Sequence, residues 1–366
     1  MNITISRTAL FQAIQACQSI VEKRHSIPIL ANLLLEASEN TLSITATDLE
    51  VGLRTQSTAL IEEAGTITVS AHKLIEIVKE FDSEHDVILK TSDNFMSICS
   101  GRSRFRLTTL PADEYPNITE ESTETVIMLK GSSLCEMISA TKFAMSTDET
   151  RKYLTGTLFE IDDDQVLRLV TTDGHRLALS ETPLEDNIKS ISCIVPKKAV
   201  LELNKLCDAH DVQVELSINE CQLRAKIGST VFVTKLINAK FPVYQDVIPV
   251  DNPHRIVIER TVFDQVLRRN MIVANEFTHD IRLVFSESGI DVSAHNTEQE
   301  EAEEHLVVEY SGPECAIGFN GKYLRDVLGA IRSSSVCIDL RDELSPLLIS
   351  GSDSQQSRYV VMPMRI

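Results

Sequence analysis

The 366-residue chain has no tryptophan, and only 5% of its residues are aromatic. Proteins that hold single strands by stacking bases on aromatic side chains need more than that. No apolar run approaches the length of a membrane-spanning helix. The opening MNITISRTAL lacks a basic stretch followed by an apolar one, so no secretory signal is expected and the cytoplasm is the expected compartment. Cysteine appears at positions 17, 99, 135, 193, 207, 221, 315 and 337, with no CxxC or other metal-finger spacing. Small, reduced core residues are the expectation for these thiols. Walker A, GxGxxG, GxSxG, HExxH and EF-hand patterns are missing, and no two histidines stand at helical ligand spacing. Neither a metal nor a cofactor is therefore expected. Positive charge is also scarce, with 35 Lys and Arg against 54 Asp and Glu for a net −19. Averaged over the whole chain, that balance argues against a polyanionic partner.

What the chain does have is repetition. Apolar residues make up 43% and charged residues 24%, ordinary for a globular protein, and the length predicts two or three domains. TLSITATDLE (41–50), VLRLVTTDGHR (166–176) and GIDVSAHNTE (289–298) are alternating, strand-like runs that place Asp48, Asp173 and Asn296 at equivalent points. SAHKLIEIVKEF, VPKKAVLELNKL and FNGKYLRDVLGAI open helices that carry Lys73, Lys198 and Lys322. Strands around Phe105, Phe232 and Tyr359 repeat at the same interval. Further helices are predicted near 6–21, 131–146 and 260–275; in the first, Leu10, Ile14, Cys17 and Val21 share one face. Four element types recurring in one order every ~125 residues predict three α+β domains of one topology, 1–125, 126–253 and 254–366. The polar, proline-containing segments 114–125 and 246–254 suit the boundaries.

Charge follows the repeat. Six helix windows (6–24, 70–80, 130–146, 196–207, 259–275 and 320–332) hold 16 Lys and Arg against 8 Asp and Glu, leaving 19 against 46 elsewhere. A net −19 chain thus contains a basic helix population, which suits helices that face phosphate without reading bases while sheets face solvent. Solvated lysine-rich helices are the plainer alternative.

Candidates for chemistry are few. Asp162-Asp163-Asp164 lies between strand-like runs and is expected to be a hairpin turn rather than a cation site. Glu298, Glu300, Glu301, Glu303 and Glu304 are expected to form a solvated acidic segment. Asp173, His175 and Arg176 could be posed as an acid/base set, but a strand followed by a glycine-containing turn explains the spacing equally well. The tail VVMPMRI is expected to be a last strand, with Met362 and Met364 available to an adaptable peptide-binding surface.

SRFRLTTLPADEYPN (103–117), TTDGHRLA (171–178), FPVYQDVIP (241–249), NTEQEEAEE (296–304), FNGKYL (319–324) and YVVMPMRI (359–366) together resemble the bacterial sliding-clamp family, the beta subunit of the DNA polymerase III holoenzyme. The resemblance covers essentially the whole chain. It implies a non-catalytic homodimeric ring of six similar domains, helices lining the hole and antiparallel sheets forming the outer wall. Such a ring encircles duplex DNA without sequence preference, is placed by an ATP-driven clamp loader, and tethers the catalytic polymerase subunit and other polymerases and repair proteins through short linear peptides. The resemblance assigns a peptide groove to Leu154, Thr172, Gly174, His175, Arg176, Leu177, Pro242, Val247, Asn320, Tyr323, Leu344, Val360, Val361, Met362, Pro363, Met364 and Arg365. DNA contacts fall to Arg24, His72, Asp148, Lys152, Tyr153 and Lys198, and the head-to-tail dimer interface to Phe105 and Leu107 of one chain with Ile272 and Val273 of the next. Asp246 and Thr278 stand where the family carries Arg and Phe, Pro346 where it carries Ser, His72 where Arg is usual, and Asp148 where the family residue is polar and uncharged. A different peptide preference is expected from the first three. A cytoplasmic homodimeric enzyme and an acidic peptide-binding scaffold without DNA are the rival readings.

Overall fold

Three turns of one design punctuate the chain. Asp48 Oδ1 accepts the backbone N–H groups of Glu50 (2.9 Å) and Val51 (2.7 Å), and Asp173 Oδ1 those of His175 (2.9 Å) and Arg176 (3.1 Å). Asn296 Oδ1 does the same for Glu298 (2.9 Å) and Glu300 (3.1 Å). A short polar side chain that can reach its own backbone two to four residues on explains why Asp or Asn stands at each point.

The computed structural model describes residues 1–21, 27–118, 125–185, 188–208, 212–354 and 356–365. The first copy of the plan runs β1 (Asn2–Ser6), α1 (Arg7–Cys17), β2 (Asn32–Ser38), β3 (Thr41–Thr47), β4 (Val51–Thr58), β5 (Leu60–Glu63) and β6 (Gly65–Ser70). It ends with α2 (Ala71–Lys79), β7 (Asp86–Ser92), β8 (Phe95–Ser100) and β9 (Ser103–Leu110). The second runs β10 (Thr125–Lys130), α3 (Gly131–Thr141), β11 (Gly156–Ile161), β12 (Val166–Thr172), β13 (Arg176–Pro183) and β14 (Ile191–Pro196). Then come α4 (Lys197–Asp208), β15 (Gln213–Ile218), β16 (Gln222–Ile227) and β17 (Thr230–Lys235). The third comprises β18 (His254–Glu259), α5 (Arg260–Asn270), β19 (Asp280–Ser286), β20 (Gly289–His295), β21 (Glu301–Leu306) and β22 (Cys315–Asn320). It closes with α6 (Gly321–Ala330), β23 (Ser335–Leu340), β24 (Leu347–Gly351) and β25 (Ser357–Val361). Apart from β5, every element has its counterpart in the other two copies, and every strand pairing is antiparallel.

The helices bury one stripe each. In α1, Leu10, Ala13, Ile14 and Cys17 are buried, and Ser6 Oγ caps the N-terminus by accepting from Ala9 N (3.2 Å). Three helices stop short of their predicted ends: α1 at Cys17, α3 at Thr141 and α5 at Asn270. A 3-10 turn over Lys142–Ala144 follows α3, and after α5 the β-branched Ile272 and Val273 sit in a turn instead.

Contacts divide the chain into two units, not into its three copies. One unit, Met1–Leu134 with Glu202–Leu236, holds a 13-stranded sheet in which β17 pairs with β4. The other, Cys135–Leu201 with Ile237–Ile366, holds an eight-stranded sheet in which β25 pairs with β13, and a four-stranded sheet ordered β21-β20-β19-β22. The middle copy is therefore shared between the units. In each unit, the last strand of one copy extends the sheet of the copy before it.

Candidate functional site

The assigned groove residues all lie in the second unit, whose eight-stranded sheet carries Thr172, Arg176, Leu177, Val360 and Val361. Leu177 on β13 faces Val360 on β25 in register. Both are buried, together with Leu154, Leu158, Val170, Leu179, Phe241 and Tyr244. Pro242 and Val247 are exposed at the edge of this cluster, on the segment that supplies Phe241 and Tyr244. The site is thus an apolar floor crossing β11, β12, β13 and β25 with an exposed apolar rim, a form suited to extended peptides.

The turn between β12 and β13 forms one end. Thr172 Oγ1 donates to Arg176 O (2.6 Å) and accepts from Gly174 N (3.1 Å). Gly174 has φ +93°, and a Cβ there would stand 3.2 Å from Arg151 Nη1, so glycine suits both backbone and space. His175 is exposed, stacks on Tyr323 with centroids 6.3 Å apart, and its carbonyl accepts from Met362 N (2.9 Å). Met364 N donates to Gly318 O (2.8 Å), so the tail beyond β25 is pinned at two points while Met362 stays 37% exposed. Asn320 caps α6, accepting from Lys322 N (3.0 Å) and Tyr323 N (3.2 Å), and donates to Thr278 O (3.0 Å). Leu344 projects at 83% exposure from a turn closed by Asp342.

Two groove assignments are corrected by strand alternation. Arg176 and Val361, paired in register, lie on the opposite face of the sheet from Leu177 and Val360, and Val361 is fully buried in the other core of the unit. Arg176 is 9% exposed, with Nε 3.0 Å from Asp173 Oδ2, Nη1 2.6 Å from Asp326 Oδ2 and Nη2 3.0 Å from Phe143 O. Its guanidinium also lies 4.4 Å from the Tyr323 ring centroid. An arginine so fully engaged positions the turn and does not wait for a ligand. Asp173 is a turn former and the partner of this arginine, which removes the acid/base reading of the motif.

Asp162, Asp163 and Asp164 occupy the β11–β12 turn as expected, the first and last on Arg168 and Asp163 on Ser190. The acidic run is solvated as expected at Glu298, Glu300, Glu301 and Glu303, all exposed. Glu301, Glu303 and Glu304 lie in β21, an edge strand of its sheet, and the half-buried Glu304 chelates Arg269 while accepting from Asn270 (3.1 Å).

The nucleic-acid assignments are dispersed. Arg24 lies outside the described residues. His72 is exposed on α2, 3.4 Å from Glu76. Lys198 is half-buried at the start of α4. Lys152 is exposed, Tyr153 packs beside the groove cluster, and Asp148 caps their 3-10 helix. Hydrogen bonds from Thr150 and then Arg151 hold the Asp148 carboxyl below its usual range, so its charge is used within its own loop. The helices carry eleven Lys and Arg against six Asp and Glu, fewer cations than the sequence windows contain. Arg269 and Arg325 are paired with Glu304 and Asp264, whereas Lys73, Lys79, Arg268 and Lys322 are exposed without an acidic partner among the described residues.

Among the interface assignments, Ile272 is 82% and Phe105 42% exposed, Val273 is half-buried, and Leu107 is already buried in its own unit. Leu107 therefore has little surface left to bury. Phe277, which sequence reasoning did not single out, is 93% exposed one position before Thr278. A single aromatic in the polar NEFTHD loop is a weak signal, and only its exposure reveals it.

Comparison with known proteins identifies the family of the chain. Models of the N-terminal, central and C-terminal domains of the DNA polymerase III beta subunit match residues 1–119, 128–243 and 245–365. The beta sliding clamp of Escherichia coli K12 is 38% identical over 368 residues, and that of Vibrio cholerae 39% over 367, each alignment spanning both chains completely. The Pseudomonas aeruginosa sliding clamp, solved bound to griselimycin, superposes with a TM-score of 0.97 at 38% identity over all of both chains. The Caulobacter crescentus clamp, solved with PEG bound to its putative beta-motif tethering region, gives 0.96 at 35% identity, covering all of this chain and 99% of its own.

Proposed function

Because the chain belongs to the DNA polymerase III beta subunit family of sliding clamps, we propose that two copies close head-to-tail into a ring around duplex DNA. The ring acts in DNA replication as a mobile tether without chemistry of its own. A polymerase held to it has a high effective concentration at the template, so modest peptide affinity still supports long synthesis. Exposed Lys73, Lys79, Arg268 and Lys322 supply sequence-independent attraction to phosphate, together with Lys152.

One observation carries the ring. β17 extends the sheet at β4 and β25 extends it at β13, in the same register: Val51 opposite Thr234, Arg176 opposite Val361. The remaining strands of these two classes are β9 and β21. β21 is an edge strand, and β9 beyond its pairing with β8 meets β6 only at Thr109 and Leu110. Each thus offers an open edge that a second copy can complete. The exposed Ile272 and Phe105 add apolar area to that contact, each worth ~1.5–3 kcal/mol of burial before the entropic cost of association.

The groove of Leu154, Thr172, Leu177, Pro242, Val247 and Val360 receives apolar side chains of short peptides from polymerases and the clamp loader. The exposed Met362 side chain on the pinned tail, and the exposed Phe277 next to Thr278, whose carbonyl accepts from Asn320, serve as its adaptable rim. Asp246 replaces a rim cation with an anion, which favours peptides less acidic than those the family usually takes.

The test is retention on nicked circular DNA after loading by the cognate loader and ATP, washed at high salt before and after linearisation. Retention on the circle with loss on linearisation is expected, since salt screens phosphate contacts but leaves topological linkage intact. Loss from both substrates would overturn the ring.

A further inference from the structure

Along the sheet face that carries Leu177 and Val360, the side chains change character one pleat at a time. Leu158, Val170 and Leu179 form an apolar row across β11, β12 and β13. The next row on that face is Glu160, Arg168 and Glu181, again directly opposite one another. Between these rows and the segment 244–250 lies a cavity of about 300 Å³. Tyr244 separates it from the groove and donates its hydroxyl to Glu160 Oε2 (2.6 Å).

The lining itself is evenly charged, Asp162 and Glu181 against Arg168 and Arg358, and the excess of negative charge lies just behind it, in Glu160 on Tyr244 and Asp164 on Arg168. Every nitrogen of Arg168 is already engaged, Nε with Glu181 (2.8 Å), Nη1 with Asp162 (3.2 Å) and Nη2 with Asp164. Arg358 directs Nη2 at Glu181 Oε2 (2.6 Å). Apolar wall is supplied by Leu179, Ile248 and Val250. A lysine or arginine fits such a site, its methylene stem on the apolar wall and its charge against Glu181 and Asp162.

We propose that this cavity receives a cationic side chain of the partner peptide whose apolar residues fill the neighbouring groove. The proposal rests on the groove reading above. Glu181 stands four residues along β13 from Leu177, ~13 Å at the rise of a strand, so the cation would lie two to four residues from the apolar anchors of an extended peptide. The groove would then supply most of the affinity and the cavity would select among peptides by charge.

The probes are fluorescein-labelled synthetic decapeptides holding two leucines in an extended segment, with one lysine two, three or four residues beyond them. Matched peptides carry norleucine or glutamate in place of the lysine. Anisotropy titrations against the full chain should show one lysine peptide binding about 5-fold tighter than its norleucine match at low salt, narrowing as salt rises. Asp162→Asn, an exposed site, and Glu181→Gln should reduce that ratio below about 2-fold while leaving norleucine-peptide affinity unchanged. Equal binding of lysine and norleucine peptides at every position would overturn the proposal, as would preference for glutamate, which would point to Arg358 as the receptor. If no peptide binds at all, the groove reading fails and the cavity's role falls with it.

Discussion

Arg176 Nη1 lies 2.6 Å from Asp326 Oδ2, joining the turn that opens β13 to helix α6 across 150 residues of sequence. The same guanidinium holds Asp173 and the carbonyl of Phe143, so three segments converge on one nearly buried cation. Removing it leaves Asp173 and Asp326 without their partner and empties the space between Phe143 and Tyr323. Arg176→Ala should cost about 2–4 kcal/mol, read as a lowered urea midpoint at unchanged slope. Arg176→Lys should recover only part of this, because one ammonium cannot span three acceptors. A midpoint unmoved in both variants would show that the hub does not hold the turn.

Leu49 and Gly174 occupy the same place in two copies of the turn, and both have positive φ, 77° and 93°. Only glycine adopts that conformation without a steric cost. Leu49→Gly should therefore stabilise the protein by about 0.5 kcal/mol, relief of strain exceeding the entropy that glycine adds to the unfolded chain. Gly174→Ala should destabilise by about 1–2 kcal/mol, since its Cβ also crowds Arg151. Calorimetry on the pair would show melting temperatures moving in opposite directions. Movement in the same direction would refute the strain argument.

The residues whose conformation is decided locally were legible in the sequence. Asp48, Asp173 and Asn296 announce the repeat because an Asx turn needs that side-chain chemistry, and Leu10, Ile14 and Cys17 announce a helix face by their spacing. Long-range pairing leaves no such mark. Nothing in Val51 or Thr234 says that β4 and β17 meet, so the sharing of the middle copy between two units emerges only from the fold. Face assignment fails in a similar way. Arg176 and Leu177 are neighbours in one motif, and only the pleat shows that one joins the hub while the other lines the groove.

His305 on β21 places Nδ1 2.6 Å from Asp291 Oδ1 and Nε2 3.0 Å from the carbonyl of Ser288. Both partners are acceptors, so the arrangement favours the doubly protonated ring, and the hydrogen bond to Asp291 raises the His305 pKa above 6.5. With the folded value raised, the contribution to stability is fully present below the unfolded value and fades as pH rises through the folded one. An NMR titration of the His305 ring should give a pKa above that of a free histidine, falling in Asp291→Asn. A value unchanged by that substitution would exclude the carboxylate as the cause.

For the proposed head-to-tail ring, the register of the two internal junctions predicts the junction between copies. β9 corresponds to β17 shifted by 127 residues, the interval from Phe105 to Phe232. Between β13 and β21 the shift is 124, because the turn after Asn296 holds one more residue than the turn after Asp173: His295 faces Glu301 where Thr172 faces Leu177. Carrying the pairing of Arg176 with Val361 and of Val51 with Thr234 through these shifts sets Arg104 opposite Glu303 and Arg106 opposite Glu301 of a second copy. Opposite charges directly across a ladder are favourable and like charges are not. Arg104→Glu should weaken self-association about 10–100-fold, and Glu303→Arg should do the same. The double variant Arg104→Glu with Glu303→Arg should restore much of the loss, because each new charge again faces its opposite. Sedimentation velocity across a dilution series gives all four dissociation constants. The additive weakening of a double variant that fails to recover would place these strands in another register or the interface on another edge.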